Sequence, residues 1–214
     1  MVTEGKPVPL SPAEILERRK LAAELLEWAC YPGAESEDDP RYQQVVEGRD
    51  SGAAQKRYSS CADLAHWLLF RLGARFVWIN RDELDGWRMG ANVSRLVRPG
   101  RKTPPKPAEL DAGDTLIIAN DWPSGRDSHV VCVRGPATRR PDGVWVVPTA
   151  EYGQPGGALC LRELRGTMLG KRRIRIWLPL DAILQEAAAA GMLEPFTLPA
   201  EMEASENETP ADVG

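Results

Sequence analysis

Apolar residues at helical spacing open the chain. Ser11-Pro12-Ala13-Glu14 has the pattern of a capping box with proline at the first helical position. Apolar side chains then recur every three or four residues as far as Trp28. The pattern predicts a helix over about 12–30, which is followed by an acidic surface loop over 34–40.

A second apolar run predicts a buried helix whose N-terminus lies near Ser60. Residues 64–72 are mainly apolar, a hydroxyl residue stands before them, and Gly73 follows. Cys61 falls in the first turn of this helix. Segment 41–58 favours neither helix nor strand, and the glycines and prolines of 80–107 predict loops.

Short β-branched or aromatic runs then predict a sheet. The four predicted strands are 115–119, 130–134, 144–147 and 174–178. Short connections between them favour antiparallel pairing, and 181–190 predicts a closing helix with Asp181 as its cap. Helices, then a sheet, then a helix predict an α+β fold in which N-terminal helices pack on a small antiparallel sheet.

The pattern divides the chain into three parts. Residues 1–40 hold the first helix and the acidic loop, and residues 41–195 form the main domain. Residues 196–214 carry several carboxylates and no basic residue, which predicts a disordered acidic tail.

Composition and charge exclude some classes of function. The 27 basic and 31 acidic residues give a net charge of −4, and no basic run is interleaved with aromatics, so a nucleic-acid partner is not expected. Every apolar stretch is far shorter than the ~20 residues of a membrane span. The first ten residues lack the apolar core of a signal peptide, so we expect cytoplasmic synthesis.

Four cysteines are the main candidates for chemistry. Cys30, Cys61, Cys132 and Cys160 show no Cys-x-x-Cys spacing, so they are read as free thiols, with neither a metal nor a cofactor implied. Cys61 stands out because unpaired N–H groups at a helix N-terminus favour a thiolate. His129 starts a predicted strand after a loop, where its imidazole could accept the thiol proton and pass it to a leaving amine.

Three motifs carry a family resemblance. Ser60-Cys61-Ala62-Asp63, Gly113-Asp114-Thr115-Leu116 and Ser128-His129-Val130-Val131 follow one another in the chain. In this order they resemble the motifs of the NlpC-type and CHAP-type cell-wall peptidases of the papain-like clan, over about residues 55–180. The resemblance implies a papain-like (NlpC-type) domain in which Cys61 is the nucleophile and His129 is its base.

The resemblance also implies further site residues. The family's third polar residue orients the histidine from the next strand, and here that strand leads to Glu151, our first candidate, and to Gln154, our second. The candidate substrate-binding residues are Tyr58, Trp87, Trp122 and Gln154. Simpler interpretations remain open: a buried small thiol for Cys61, a structural imidazole for His129 and a loop carboxylate for Glu151.

The implied activity is hydrolysis of an amide bond. The simplest substrate is a stem or cross-link peptide of peptidoglycan, reached by lysis, by a phage particle or by a secretion apparatus. Two alternatives stay open. One is a catalytically silent papain-like module in a phage or injection machine, and the other is a cytosolic amidase or peptidase acting on a protein or small molecule. The sequence does not determine an oligomeric state.

Overall fold

An α+β architecture is present in the computed structural model of the chain, which describes residues 9–30, 39–46, 61, 63–74, 105–120, 128–152, 159–165, 172–200 and 202. Helices α1 (Pro12–Ala29), α2 (Pro40–Val46) and α3 (Asp63–Arg71) come first. Six strands follow, and helix α4 (Leu180–Ala189) comes after them. This order confirms the predicted α+β class, with N-terminal helices followed by an antiparallel sheet.

The described strands form one curled antiparallel sheet, a half-barrel. They are β1 (Thr115–Asn120), β2 (Ser128–Val133), β3 (Thr138–Arg139), β4 (Trp145–Tyr152), β5 (Leu159–Arg165) and β6 (Arg172–Leu178). Strand β1 pairs with β2 and β6, and β4 pairs with β2, β3 and β5. Two residues of the site described below lie on β2 and β4, which are paired with each other.

Alternate residues of the central strands enter two different apolar clusters. Ile117 of β1 packs with α1, α3 and α4, whereas its neighbours Leu116 and Ile118 pack in a second cluster with Val131 and Val133 of β2. Both faces of these strands are therefore buried. This explains why their sequences are continuous apolar runs rather than alternating ones.

The predicted first helix is confirmed together with its cap. Ser11 Oγ accepts a hydrogen bond from the Glu14 backbone, and the Glu14 carboxylate accepts one from the Ser11 backbone. The buried side of α1 belongs to the same core as α3 and α4. Helix α1 therefore contributes to the same core as the rest of the fold.

The turn at Gly113-Asp114 joins three elements. Asp114 is fully buried and accepts hydrogen bonds from Arg19 Nη1 of α1 (3.0 Å), Trp177 Nε1 of β6 (2.9 Å) and the Leu180 backbone at the start of α4 (3.0 Å). Gly113 has φ +86°, and a Cβ there would lie 2.5 Å from Leu180 Cδ2. The positive φ, together with the close packing of the Leu180 side chain, therefore favours glycine at this position.

Some element predictions need correction. Segment 41–58, for which the sequence favours neither helix nor strand, begins with residues 41–46 of the seven-residue helix α2. Strands β3 and β5 were not predicted. The N-cap of α4 is Pro179 rather than Asp181, and Asp181 instead pairs with Arg19 Nη2 at 2.6 Å.

The predicted acidic tail begins too early. Phe196 and Leu198 pack on the core, the Thr197 backbone donates to the Arg71 carbonyl (2.8 Å), and Arg71 Nη1 donates to the Leu198 carbonyl (3.2 Å). The chain therefore stays on the domain past the boundary set at residue 196. Residues 203–214 lie outside the described part of the chain. None of the helices in the described part is both long enough and apolar enough to cross a bilayer.

Candidate active site

Strand register brings His129 and Glu151 to one face of the sheet. Val131 of β2 is the registered partner of Glu151 on β4, and His129 lies two residues from Val131 along the same strand. Side chains two residues apart on a strand share a face, and diagonal neighbours on adjacent strands can touch. The pairing of β2 with β4 therefore sets the imidazole beside the carboxylate.

His129 and Glu151 form a buried hydrogen-bonded pair. His129 Nε2 lies 3.0 Å from Glu151 Oε2, and the two side chains are only 2% and 1% exposed. An ionised carboxylate accepts hydrogen bonds only, so Nε2 carries the proton in this contact. The second ring nitrogen, Nδ1, is left for another partner.

Cys61 interacts with His129 from a different part of the fold. Its side chain makes a hydrogen bond with His129. Cys61 is half-buried and lies in the turn just ahead of α3, which begins at Asp63. The helix begins later than the sequence predicted. The thiol therefore lies two residues before the first residue of α3 and not within its first turn.

The two partners of His129 determine its protonation. Burial alone lowers the pKa of His129, but the hydrogen bonds and charges of Cys61 and Glu151 outweigh burial and raise the pKa above the ordinary 6.5. The imidazolium is therefore favoured at higher pH than for a free histidine.

Two further side chains contact the Glu151 carboxylate. Thr149 Oγ1 lies 3.4 Å from Glu151 Oε1, and Arg162 Nε of β5 lies 3.9 Å from Glu151 Oε2. Neither residue was singled out from the sequence. The sequence position of Thr149 could have indicated it, because Thr149 precedes Glu151 by two residues and such residues share one face of a strand.

The predicted site residues divide into two groups. The structure brings Cys61, His129 and Glu151 together. Tyr58, Trp87, Trp122 and Gln154 lie outside the described residues, so their predicted roles remain predictions. His66, the second histidine of the chain, is buried on α3. Within the described ranges, no group of three or more His, Cys, Asp or Glu side chains is arranged to hold a metal ion.

The other thiols lie in different surroundings. Cys30 and Cys132 are buried, and burial raises the pKa of both, that of Cys132 to about 12. Cys160 is half-buried on β5, where its registered partner on β4 is Glu151.

These surroundings predict selective alkylation. A short pulse of iodoacetamide at pH 6.5 should modify Cys61 before Cys30, Cys132 and Cys160, because Cys61 interacts with the imidazole. Mass mapping of the labelled peptides measures the order. Cys61→Ser is the matched control and should abolish the early label. Equal labelling of all four thiols would contradict the assignment of Cys61 as the activated thiol.

Comparisons with known proteins add no assignment to this geometry. No protein-family model, curated protein or solved structure matches the chain. The arrangement of Cys61, His129 and Glu151 therefore has to be interpreted from its own chemistry: it is a thiol, an imidazole and a carboxylate connected in series at the end of a helix.

Proposed function

We propose that the protein is a thiol hydrolase that cleaves amide bonds in peptides, with Cys61 as the nucleophile. The observation that carries the proposal is the bridging position of His129, which contacts the Cys61 side chain and donates from Nε2 to Glu151. A nucleophile, a base that can ionise it and a group that orients the base are the parts that covalent acyl transfer requires.

The proposed reaction has two half-steps. The Cys61 thiolate attacks the carbonyl carbon of the scissile amide, and the His129 imidazolium gives its proton to the departing amine nitrogen. Cys61 then holds the acyl group as a thioester, and neutral His129 takes a proton from water as that water attacks the thioester carbonyl. The acid product leaves, and the thiolate and imidazolium are restored.

Two features of the fold would stabilise the charges that develop during the proposed reaction. Cys61 stands just ahead of α3, so backbone N–H groups at the start of that helix are candidates to stabilise the oxyanion. Glu151 is buried against His129 and stabilises the ring whenever it is protonated. No step requires a metal ion or an organic cofactor.

The proposed fold and substrate rest on the motif resemblance. Cys61, the Gly113-Asp114 turn and His129 follow one another as in the NlpC-type peptidases, and the α+β arrangement of a helix followed by an antiparallel sheet agrees with a papain-like domain. On this basis the substrate is a stem or cross-link peptide of peptidoglycan. Delivery to the wall would be by lysis, a phage particle or a secretion apparatus.

A digestion experiment tests the proposed activity. Purified chain is incubated with peptidoglycan fragments, and the products are analysed by mass spectrometry for the gain of one water and for new amino termini. We expect cleavage by the native chain and none by Cys61→Ala, which lacks the thiol.

The other outcomes of this experiment correspond to the rival functions. Cleavage of simple peptide amides with intact peptidoglycan left untouched would overturn the substrate and favour a cytosolic amidase or peptidase. Absence of cleavage on both substrates, with Cys61 no more reactive than the other thiols, would overturn the hydrolase and favour a silent binding module.

A further inference from the structure

The two oxygens of the Glu151 carboxylate have different partners. Oε2 lies 3.0 Å from His129 Nε2, whereas Oε1 lies 3.4 Å from the Thr149 hydroxyl. A carboxylate that is bound on one oxygen only can rotate about its terminal bond, because this sp³–sp² torsion is soft. A second partner on the other oxygen restricts that rotation.

Thr149 is placed to be this second partner. It is fully buried on β4, two residues before Glu151 and on the same face of the strand. Its hydroxyl also lies 3.4 Å from the Arg162 carbonyl on β5. The single hydroxyl proton has two acceptors within reach, and hydrogen bonds to an ionised carboxylate are the stronger kind.

We propose that Thr149 is a positioning residue of the active site, whose hydroxyl holds Glu151 in the rotamer that presents Oε2 to His129. The inference rests on the proposed function for its catalytic meaning, but the geometry it describes does not depend on the substrate. Valine would fill the same space and suit a strand equally well. The hydroxyl is therefore the feature to test.

Other ionisable groups surround the pair and stay constant in the test. Cys61 interacts with His129, and Cys132 of β2 interacts electrostatically with Glu151. Arg162 faces Glu151 from β5, and Cys30 at the end of α1 contacts the Glu151 backbone. Arg162 is 37% exposed, so solvent screens its charge. Replacing one neutral side chain by another at position 149 changes none of these charges.

The test measures the protonation of His129 directly. The chain has two histidines, so the His129 signal in an NMR titration is assigned by its disappearance in His129→Gln. Thr149→Val should raise the acid dissociation constant of the His129 imidazolium roughly five-fold, the effect of losing one ordinary hydrogen bond. Cys61 alkylation at pH 6.5 should slow in parallel. Thr149→Ser keeps the hydroxyl and should behave as the native chain.

Two reference variants give the measurement its scale. Glu151→Gln removes the carboxylate charge and should change the same constant in the same direction by more than Thr149→Val does. Thr115→Val removes another buried strand hydroxyl, on β1, and should leave His129 unchanged. If Thr149→Val does not fold, Thr149→Ala removes the same hydroxyl without the added methyl group and replaces it in the series.

The results separate this inference from the proposed function. A Thr149→Val chain that loses stability while His129 titrates as in the native chain overturns the positioning role, and the hydrolase proposal stands. A His129 titration that depends on Thr149 and Glu151, in a chain that cleaves no amide, supports the positioning role and overturns the hydrolase.

Discussion

His129→Gln should reduce amide hydrolysis by about 10²- to 10⁴-fold, the usual contribution of a positioned general acid–base. Glutamine can still donate a hydrogen bond to Glu151, but it cannot take the thiol proton or protonate a leaving amine. Initial rates on a peptide that the native chain cleaves provide the measurement. Activity within a few-fold of the native chain would exclude His129 as the base.

The pH dependence of the native chain follows from the same residue. Because the pKa of His129 is raised above 6.5, the imidazolium persists to higher pH than that of a free histidine and is lost only as pH rises through the raised value. The alkaline limb of the pH–rate profile should therefore lie above pH 6.5. His66→Gln is the matched control, since His66 is buried on α3, and it should keep the native alkaline limb.

Asp114→Ala should lower the free energy of unfolding by about 3–5 kcal/mol, the range seen when one partner of a buried ion pair is removed. The substitution leaves the Arg19 guanidinium, the Trp177 indole N–H and the Leu180 backbone N–H without their shared acceptor. Urea unfolding followed by circular dichroism measures the loss.

The matched control for this variant is an exposed carboxylate. Asp142 is 56% exposed beside Arg140, and Asp142→Asn keeps an oxygen that can accept from the Val144 backbone. We expect a change below about 0.5 kcal/mol at this site. Equal effects at positions 114 and 142 would show that the Asp114 network does not hold α1, β6 and α4 together.

The sequence predicted those elements whose signals are local. The capping box at Ser11 and Glu14 marks α1, and the apolar β-branched runs mark β1, β2, β4 and β6. Strand β5 was missed because Leu159-Cys160-Leu161-Arg162 has no β-branched residue. Its apolar residues are also divided between the two clusters, with Leu159 in the first and Leu164 in the second. Helix α2 has only seven residues, too few for a clear period.

Long-range contacts were less accessible from the sequence. Asp181 has the residue type of a helix cap, but its carboxylate bonds to Arg19, more than 160 positions away in the chain. Phe196 and Leu198 are isolated apolar residues beside an acidic tail, and only the folded chain shows that they pack on the core. Cys61, His129 and Glu151 could be singled out because residue type, element position and motif order pointed to the same three residues.

The dependence of the site on strand register makes Cys61 a reporter of folding. His129 and Glu151 are 22 residues apart and meet only when β2 and β4 have paired. The thiol of Cys61 lies in a third segment, just before α3. A one-residue slip of β4 against β2 would turn Glu151 to the opposite face of the sheet. A partly folded or misregistered chain therefore exposes four ordinary thiols, and the fast alkylation of one of them reads out the fraction of molecules whose sheet has formed in the native register.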